Sequence, residues 1–207
     1  LSNLFGALKL YSAARKKGVQ PIIAADVWVE PEEDGRAPQR LLLIIQNRTG
    51  YLHLCELLAE AWTAPGNRTH AWVYWKSLAE KNDGLICLSG ADMGPVGQAI
   101  LMGDAAKAEV QARKLAAIFP GRFYLEVQRA GGALDEVLVE GSLWIAAEVG
   151  IPVVATHPIQ FLSREDFKAH EARVCIAEGY VLGDQRRPRS YTPHQYFKSQ
   201  SEMREQF

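Results

Sequence analysis

Apolar positions along the chain fall into two alternating rhythms. Leu4, Leu8, Tyr11 and Ala14 share one side of a helical repeat, which predicts a first helix capped by Ser2 or Asn3 and ended at Gly18. Pro21 to Val29 then predicts a strand, and a polar loop from Glu30 to Gln39 separates it from the run Leu41-Leu42-Leu43-Ile44-Ile45. This second run is too short for a helix and apolar on both faces, the pattern of a buried parallel strand. Asn47-Arg48-Thr49-Gly50 reads as a turn, and Tyr51 to Trp62 has helical spacing.

The alternation continues downstream. Gly84 to Leu88 predicts a strand, followed by a glycine-rich turn from Ser89 to Gly94. Asp104 caps a helix that reaches Phe119 and stops at Pro120-Gly121. Arg122 to Val127 is a strand, Ala133 to Val149 a helix and Ile151 to Thr156 a strand, and Ser163 caps a last helix running to about Glu178. Strands and helices that alternate over short connections predict an α/β fold with a parallel sheet, open or closed into a barrel. The basic stretch Arg186-Arg187-Pro188-Arg189 marks a linker over 184–207. There is no internal repeat.

Composition narrows the class. The chain has 207 residues, 48% of them hydrophobic and 23% charged, which suits one domain with a real core. A formal net charge of -1 gives the chain as a whole no electrostatic claim on nucleic acid or membrane. Cys55, Cys87 and Cys175 are scattered through apolar runs and read as reduced thiols, which with no signal peptide points to a cytoplasmic location. The chain opens inside a helical pattern without Met and closes on Gln206-Phe207 without a stop signal, so both ends read as cuts through a longer polypeptide.

In folds of this kind chemistry gathers where strands end. Asp26, the turn from Ser89 to Asp92, Glu126 and the group His157, Pro158 and Gln160 are expected there. No H-x-H, H-E-x-x-H or C-x-x-C spacing occurs, so three convergent ligands for a catalytic metal are not evident. His157 reads as a hydrogen-bonded strand-end residue, and His53, His70, His170 and His194 as surface or helix-face residues. The Gly90 to Gly94 segment lacks the P-loop and dinucleotide spacings and reads as a strand-to-helix turn. Trp62, Trp72, Tyr74 and Trp75 have little basic charge around them, which favours packing or a subunit contact over base stacking. Arg186, Arg187 and Arg189 read as a solvated linker or an interdomain anchor.

Several segments, taken in order, carry a resemblance. They are Gly18 to Ile23, Asn47 to Tyr51, Gly84 to Gly90, Phe123 to Arg129, Pro152 to Thr156, Asp166 to Glu171 and Arg187 to Tyr191. Together they resemble the PHP (polymerase and histidinol phosphatase) domain of bacterial replicative DNA polymerase III alpha subunits. The resemblance implies a partial, distorted β/α barrel with mostly parallel strands over 1–183, lacking the N-terminal strands and first metal motif. It also implies a linker toward a polymerase domain over 184–207.

The family's metal positions map onto this chain one by one. Asp26 stands for a Glu after the first strand, Arg40 for a His, Ala91 for a Cys, and Pro158 and Gln160 for the Asp and His after the last strand. Arginine, alanine and proline cannot ligate a metal through their side chains, so the resemblance implies a degenerate site with no catalytic residue and no metal. Arg40 is expected beside Asp26 or Glu126, supplying the charge a cation would have brought. The implied role is a structural and docking module. Its implied partners are the remainder of the alpha chain, the proofreading exonuclease subunit and, through the parent, DNA; magnesium would serve the parent polymerase domain alone. The alternative implied role is a metal-dependent phosphoesterase or pyrophosphatase.

Overall fold

The computed structural model describes residues 2–31, 37–64 and 71–207. Its strands are β1 (Ala24–Val29), β2 (Gln39–Ile45), β3 (Trp72–Val73), β4 (Leu85–Leu88), β5 (Phe123–Gln128) and β6 (Val153–Thr156). Its helices are α1 (Ala7–Lys16), α2 (Arg48–Thr63), α3 (Trp75–Glu80), α4 (Pro95–Leu101), α5 (Ala105–Ile118), α6 (Asp135–Val149), α7 (Phe167–Glu178) and α8 (Gln200–Gln206). The strands form one sheet in the order β3-β1-β2-β4-β5-β6. Pairs β1/β3, β4/β5 and β5/β6 are parallel, which makes the sheet mostly parallel, a partial and distorted β/α barrel.

The direction of β2 corrects the reading of its apolar run. It lies antiparallel to both β1 and β4. Only residues 30–38 join β1 to β2, too few for the crossover that parallel neighbours need. The run reports burial, since Leu41 and Leu43 are fully enclosed, and burial does not fix direction.

Side chains alternate across each strand. Ala25, Val27, Val29, Leu41, Leu43, Leu85, Cys87 and Leu125 therefore face a single core shared with α2, α4, α5 and α6. The intervening residues, Asp26, Arg40 and Glu126 among them, project from the opposite face. That two-residue repeat separates the packing side of the sheet from the side that holds its polar groups.

Local signals explain most boundaries and some departures. Asp104 caps α5 by accepting a hydrogen bond from the Lys107 amide, and Ser163 forms a capping box with Asp166 ahead of α7. Asn47 accepts from the Gly50 amide, so the segment read as a turn is the first turn of α2. Ser2 and Asn3 do not cap α1, which starts after Gly6. Ser2 is instead buried against β1: its amide donates to Asp26 O (2.6 Å) and its Oγ accepts from the Trp28 amide (3.2 Å). β1 also starts at Ala24 rather than Pro21. Residues 32–36 of the polar loop and His70 lie outside the described residues.

Candidate functional site at the strand ends

β1, β4, β5 and β6 point the same way, and antiparallel β2 begins at the end where they finish. Arg40, the second residue of β2, therefore stands at the C-terminal mouth of its neighbours. It pairs across with Trp28 of β1, which makes Asp26 its diagonal neighbour on the same face. On the other side, Leu42 pairs with Leu88 and Leu88 with Tyr124. Two residues further toward the mouth, the same row runs Arg40, Gly90, Glu126.

Asp26 and Glu126 were expected after their strands; the structure places both inside them. Val27 and Val29 after Asp26, and Val127 after Glu126, continue the buried alternation, so each strand runs past its acid.

The geometry follows from the row. Arg40 Nε lies 3.6 Å from Asp26 Oδ1, and Nη2 lies 3.8 Å from Glu126 Oε2. Nη2 also donates to Gly90 O at 3.2 Å. The Glu126 side chain is 3% exposed and that of Asp26 is 35% exposed, so one acid is sealed and the other meets solvent. Glu126 Oε1 accepts from Gln128 Nε2 (3.0 Å) and Thr156 Oγ1 (2.5 Å), while Oε2 accepts no hydrogen bond and faces only the guanidinium. Ser89 Oγ accepts the Glu126 amide at 2.9 Å. Just beneath, burial and the Glu126 charge push the Cys87 thiol far up, which keeps it protonated.

Gly90 lets the turn approach β2. Its φ is 81°, and a Cβ there would sit 2.0 Å from Arg40 O. The next residues, Ala91 to Met93, form one 3₁₀ turn, and Pro95 starts α4, so this segment is a strand-to-helix turn. Ala91 is buried.

The residues after β6 turn away from the knot. His157 shares its Nε2 with His194 O at 2.8 Å, and burial holds its pKa below the ordinary histidine value. The Gln160 amide donates to Gln195 O at 2.8 Å, and its side chain is exposed. Asp26, Arg40, Glu126 and Gly90 thus come together, with Ala91 following in the turn, whereas His157 and Gln160 serve the segment 192–197.

Sequence reading placed Ser89 at the strand ends without giving it a partner, and missed Gln128 and Thr156. Gln128 was legible, because it stands two residues from Glu126 on the same face of one strand. Thr156 becomes evident only once β6 is known to pair with β5 in that register. Among the described residues no three of His, Cys, Asp and Glu converge.

The aromatic and arginine clusters resolve as contacts within the chain. Trp75 donates its amide to Glu30 Oε1 and its indole N–H to Glu30 O, and the exposed Trp62 donates to Ser2 O. Arg187 pairs with Glu171 of α7 at 2.6 Å and Arg186 with Asp184 at 2.9 Å. Among the described residues no helix is long and apolar enough to cross a membrane.

Comparison with known proteins fits this arrangement. The chain is 48% identical over 210 residues to the DNA polymerase III subunit alpha of Neisseria meningitidis serogroup A. It is 40% identical over 206 residues to that of Pseudomonas aeruginosa and 37% identical over 206 residues to that of Escherichia coli K12. Each match takes in 100% of this chain and 18% of the relative, so the chain spans under a fifth of the length of these proteins. The PHP domain profile matches residues 1–130, most of the chain, and the chain belongs to the PHP domain family.

Proposed function

We propose that this chain is a non-catalytic structural and docking part of a replicative DNA polymerase alpha subunit, whose parent performs template-directed DNA synthesis elsewhere in its length. One observation carries the reading: the Arg40 guanidinium occupies the strand-end mouth between Asp26 and Glu126. A guanidinium keeps its proton at any accessible pH, so it is a permanent cation with no lone pair to give a metal. The positions around it do not fit a metal centre. Ala91 and Pro158 offer no side-chain donor, and Gln160, held by its backbone amide to Gln195 O, has an exposed side chain and a neutral amide in place of an imidazole. No metal-dependent step is assigned to these residues, and magnesium belongs to the parent's polymerase chemistry.

The docking half of the reading draws on the surface. α1 buries none of its side chains, and Leu8, Leu10 and Tyr11 stand exposed along it, with Phe5 just ahead of it, beside Lys9, Arg15 and Lys16. Apolar groups in such a row fit contact with other protein, either the remainder of the alpha chain or the proofreading exonuclease subunit.

A second reading, a metal-dependent phosphoesterase or pyrophosphatase, draws on the unshared Glu126 Oε2 and the solvent-facing Asp26. Hydrolysis of pyrophosphate and of a p-nitrophenyl phosphodiester, assayed with manganese and with zinc, separates the two. Background rates are expected. Metal-dependent phosphate release abolished by Asp26→Ala or Glu126→Ala overturns the structural reading.

A further inference from the structure

The segment after α7 returns across the strand mouth and is fastened there. The Thr192 hydroxyl donates to Ala130 O, His194 O meets His157, and Phe161 and Tyr196 form a β-bridge. Beyond them, Arg129 at the end of β5 holds Glu136 through both carboxylate oxygens (2.7 and 2.8 Å) and donates to Gln206 O at 2.7 Å. The strap therefore spans the ends of β5 and β6, next to the Glu126 knot.

Its other anchor is a box of rings around His170. The buried imidazole lies 5.4 Å from the Phe161 ring and 4.7 Å from the Tyr191 ring, the latter edge-on at 82°, and Phe161 meets Phe167 at 5.9 Å with the rings tilted by 53°. Phe161 comes from the loop after β6, Tyr191 from the strap, and His170 and Phe167 from α7. Arg173 Nη2 donates to His170 Nδ1 at 3.1 Å, which requires Nδ1 to be the unprotonated nitrogen. Nε2 then carries the hydrogen, and it is buried without an acceptor.

We propose that His170 is a pH-sensitive fastening, holding the strap over the strand mouth while neutral and releasing it on protonation. A proton added at Nδ1 expels the Arg173 hydrogen bond and sets two positive charges side by side on α7. The other charged or titratable groups facing the ring are Glu171, already bound by Arg187 at 2.6 Å, and the Tyr191 phenol of the strap. Neither the Phe161 loop nor Phe167 presents a counter-charge. Once the strap lifts, the imidazole reaches water and its charge is solvated, so the open form binds the proton more tightly. Burial and Arg173 both hold the His170 pKa below the ordinary value near 6.5 in the closed form. Strap closure is thus complete above about pH 6.5 and weakens below it, by at most tenfold per pH unit for one proton.

Hydrogen exchange of the 191–207 amides, corrected for intrinsic exchange at each pH, tests this between pH 7.5 and 5. The opening equilibrium should rise several-fold per unit below about pH 6.5 in the wild type and in His157→Gln. It should rise less steeply in His170→Phe, which keeps a ring in the box and leaves the His157 contact to the strap as the remaining response, and be flat in the double variant His157→Gln/His170→Phe. A flat wild type, an equally steep His170→Phe, or loss of the slope in His157→Gln overturns the proposal. If His170→Phe does not fold, the NMR titration of the wild-type His170 ring decides: a pKa below 6.5 supports the fastening, and one at or above 6.5 overturns it.

Discussion

Arg40 of β2 and Glu126 of β5 meet Nη2 to Oε2 at 3.8 Å across the place where β4 has ended and only Gly90 stands between them. Gly90, two residues past the end of β4, has no side chain, which leaves the guanidinium room to cross. Glu126 is sealed from solvent, so its charge depends on this one cation and on the donors Gln128 and Thr156.

Removing the cation should therefore cost more than an ordinary surface pair. Arg40→Ala strands a buried carboxylate and is expected to destabilise the chain by about 3 kcal/mol, toward the low end for a broken buried pair because Asp26 is partly solvated. Urea unfolding checks this. A loss under about 0.5 kcal/mol would mean that the pair contributes no more than a surface contact.

Gly90 carries a separate constraint. Alanine there must adopt φ near 81° and place its Cβ 2.0 Å from Arg40 O, which no rotamer relieves. Gly90→Ala should lower stability by about 2 kcal/mol or more through backbone displacement. It should also loosen the Arg40 to Glu126 contact, seen as a shifted Arg40 guanidinium resonance. Gly103→Ala is the control, since it shares a positive φ but has open space around it. Equal losses at the two sites would remove the close-approach argument.

The three cysteines should react in a fixed order. Cys55 is half-buried on α2, whereas Cys87 and Cys175 are buried. Burial and Glu126 raise the Cys87 thiol well above its usual range, so almost no thiolate forms at neutral pH. A disulfide reagent at pH 8 is expected to modify Cys55 first and Cys87 only as the chain unfolds. Early modification of Cys87, read by peptide mass, would contradict the packing around the knot.

Much of this was legible in the residues, for identifiable reasons. The cap residues Asp104 and Ser163 and the stop at Pro120-Gly121 gave α5 and α7 nearly to the residue, and the apolar run 41–45 located β2. Direction was not legible there, because an apolar run records only that both faces are covered; the shortness of the 30–38 connection decides it. α3, α4 and β3 are too short to establish a periodicity, and β3 exists through its pairing with Trp28 and Val29. Arg40 was expected beside Asp26 or Glu126 and lies beside both, because β2 is antiparallel and starts at the mouth. Thr156 could not be assigned to the knot without the β5/β6 register.

The strap should carry a second, more acidic titration at Glu202. Ser199 and Glu202 form a capping box that starts α8: Glu202 Oε2 accepts the Ser199 amide and hydroxyl, each at 2.8 Å, and Oε1 accepts the Tyr196 phenol at 2.7 Å. These donors, Tyr196 first, hold the Glu202 pKa down at about 2. A folded pKa below the unfolded value near 4.3 means that the contribution is present above about pH 4.3 and lost as the pH falls toward 2. Protonation removes the charge that strengthens all three bonds and obliges a hydroxyl partner to turn from donor to acceptor, so the cap and the Tyr196 contact weaken together. Exchange protection of α8 should accordingly fall again below about pH 4, distinct from the change that sets in below about pH 6.5 and is assigned to His170. Glu202→Gln keeps an acceptor oxygen without the charge and should flatten the acidic step while leaving the upper one in place. An acidic step unchanged in Glu202→Gln would assign it to another carboxylate, and Asp184, whose pKa Arg186 lowers, would be the next residue to replace.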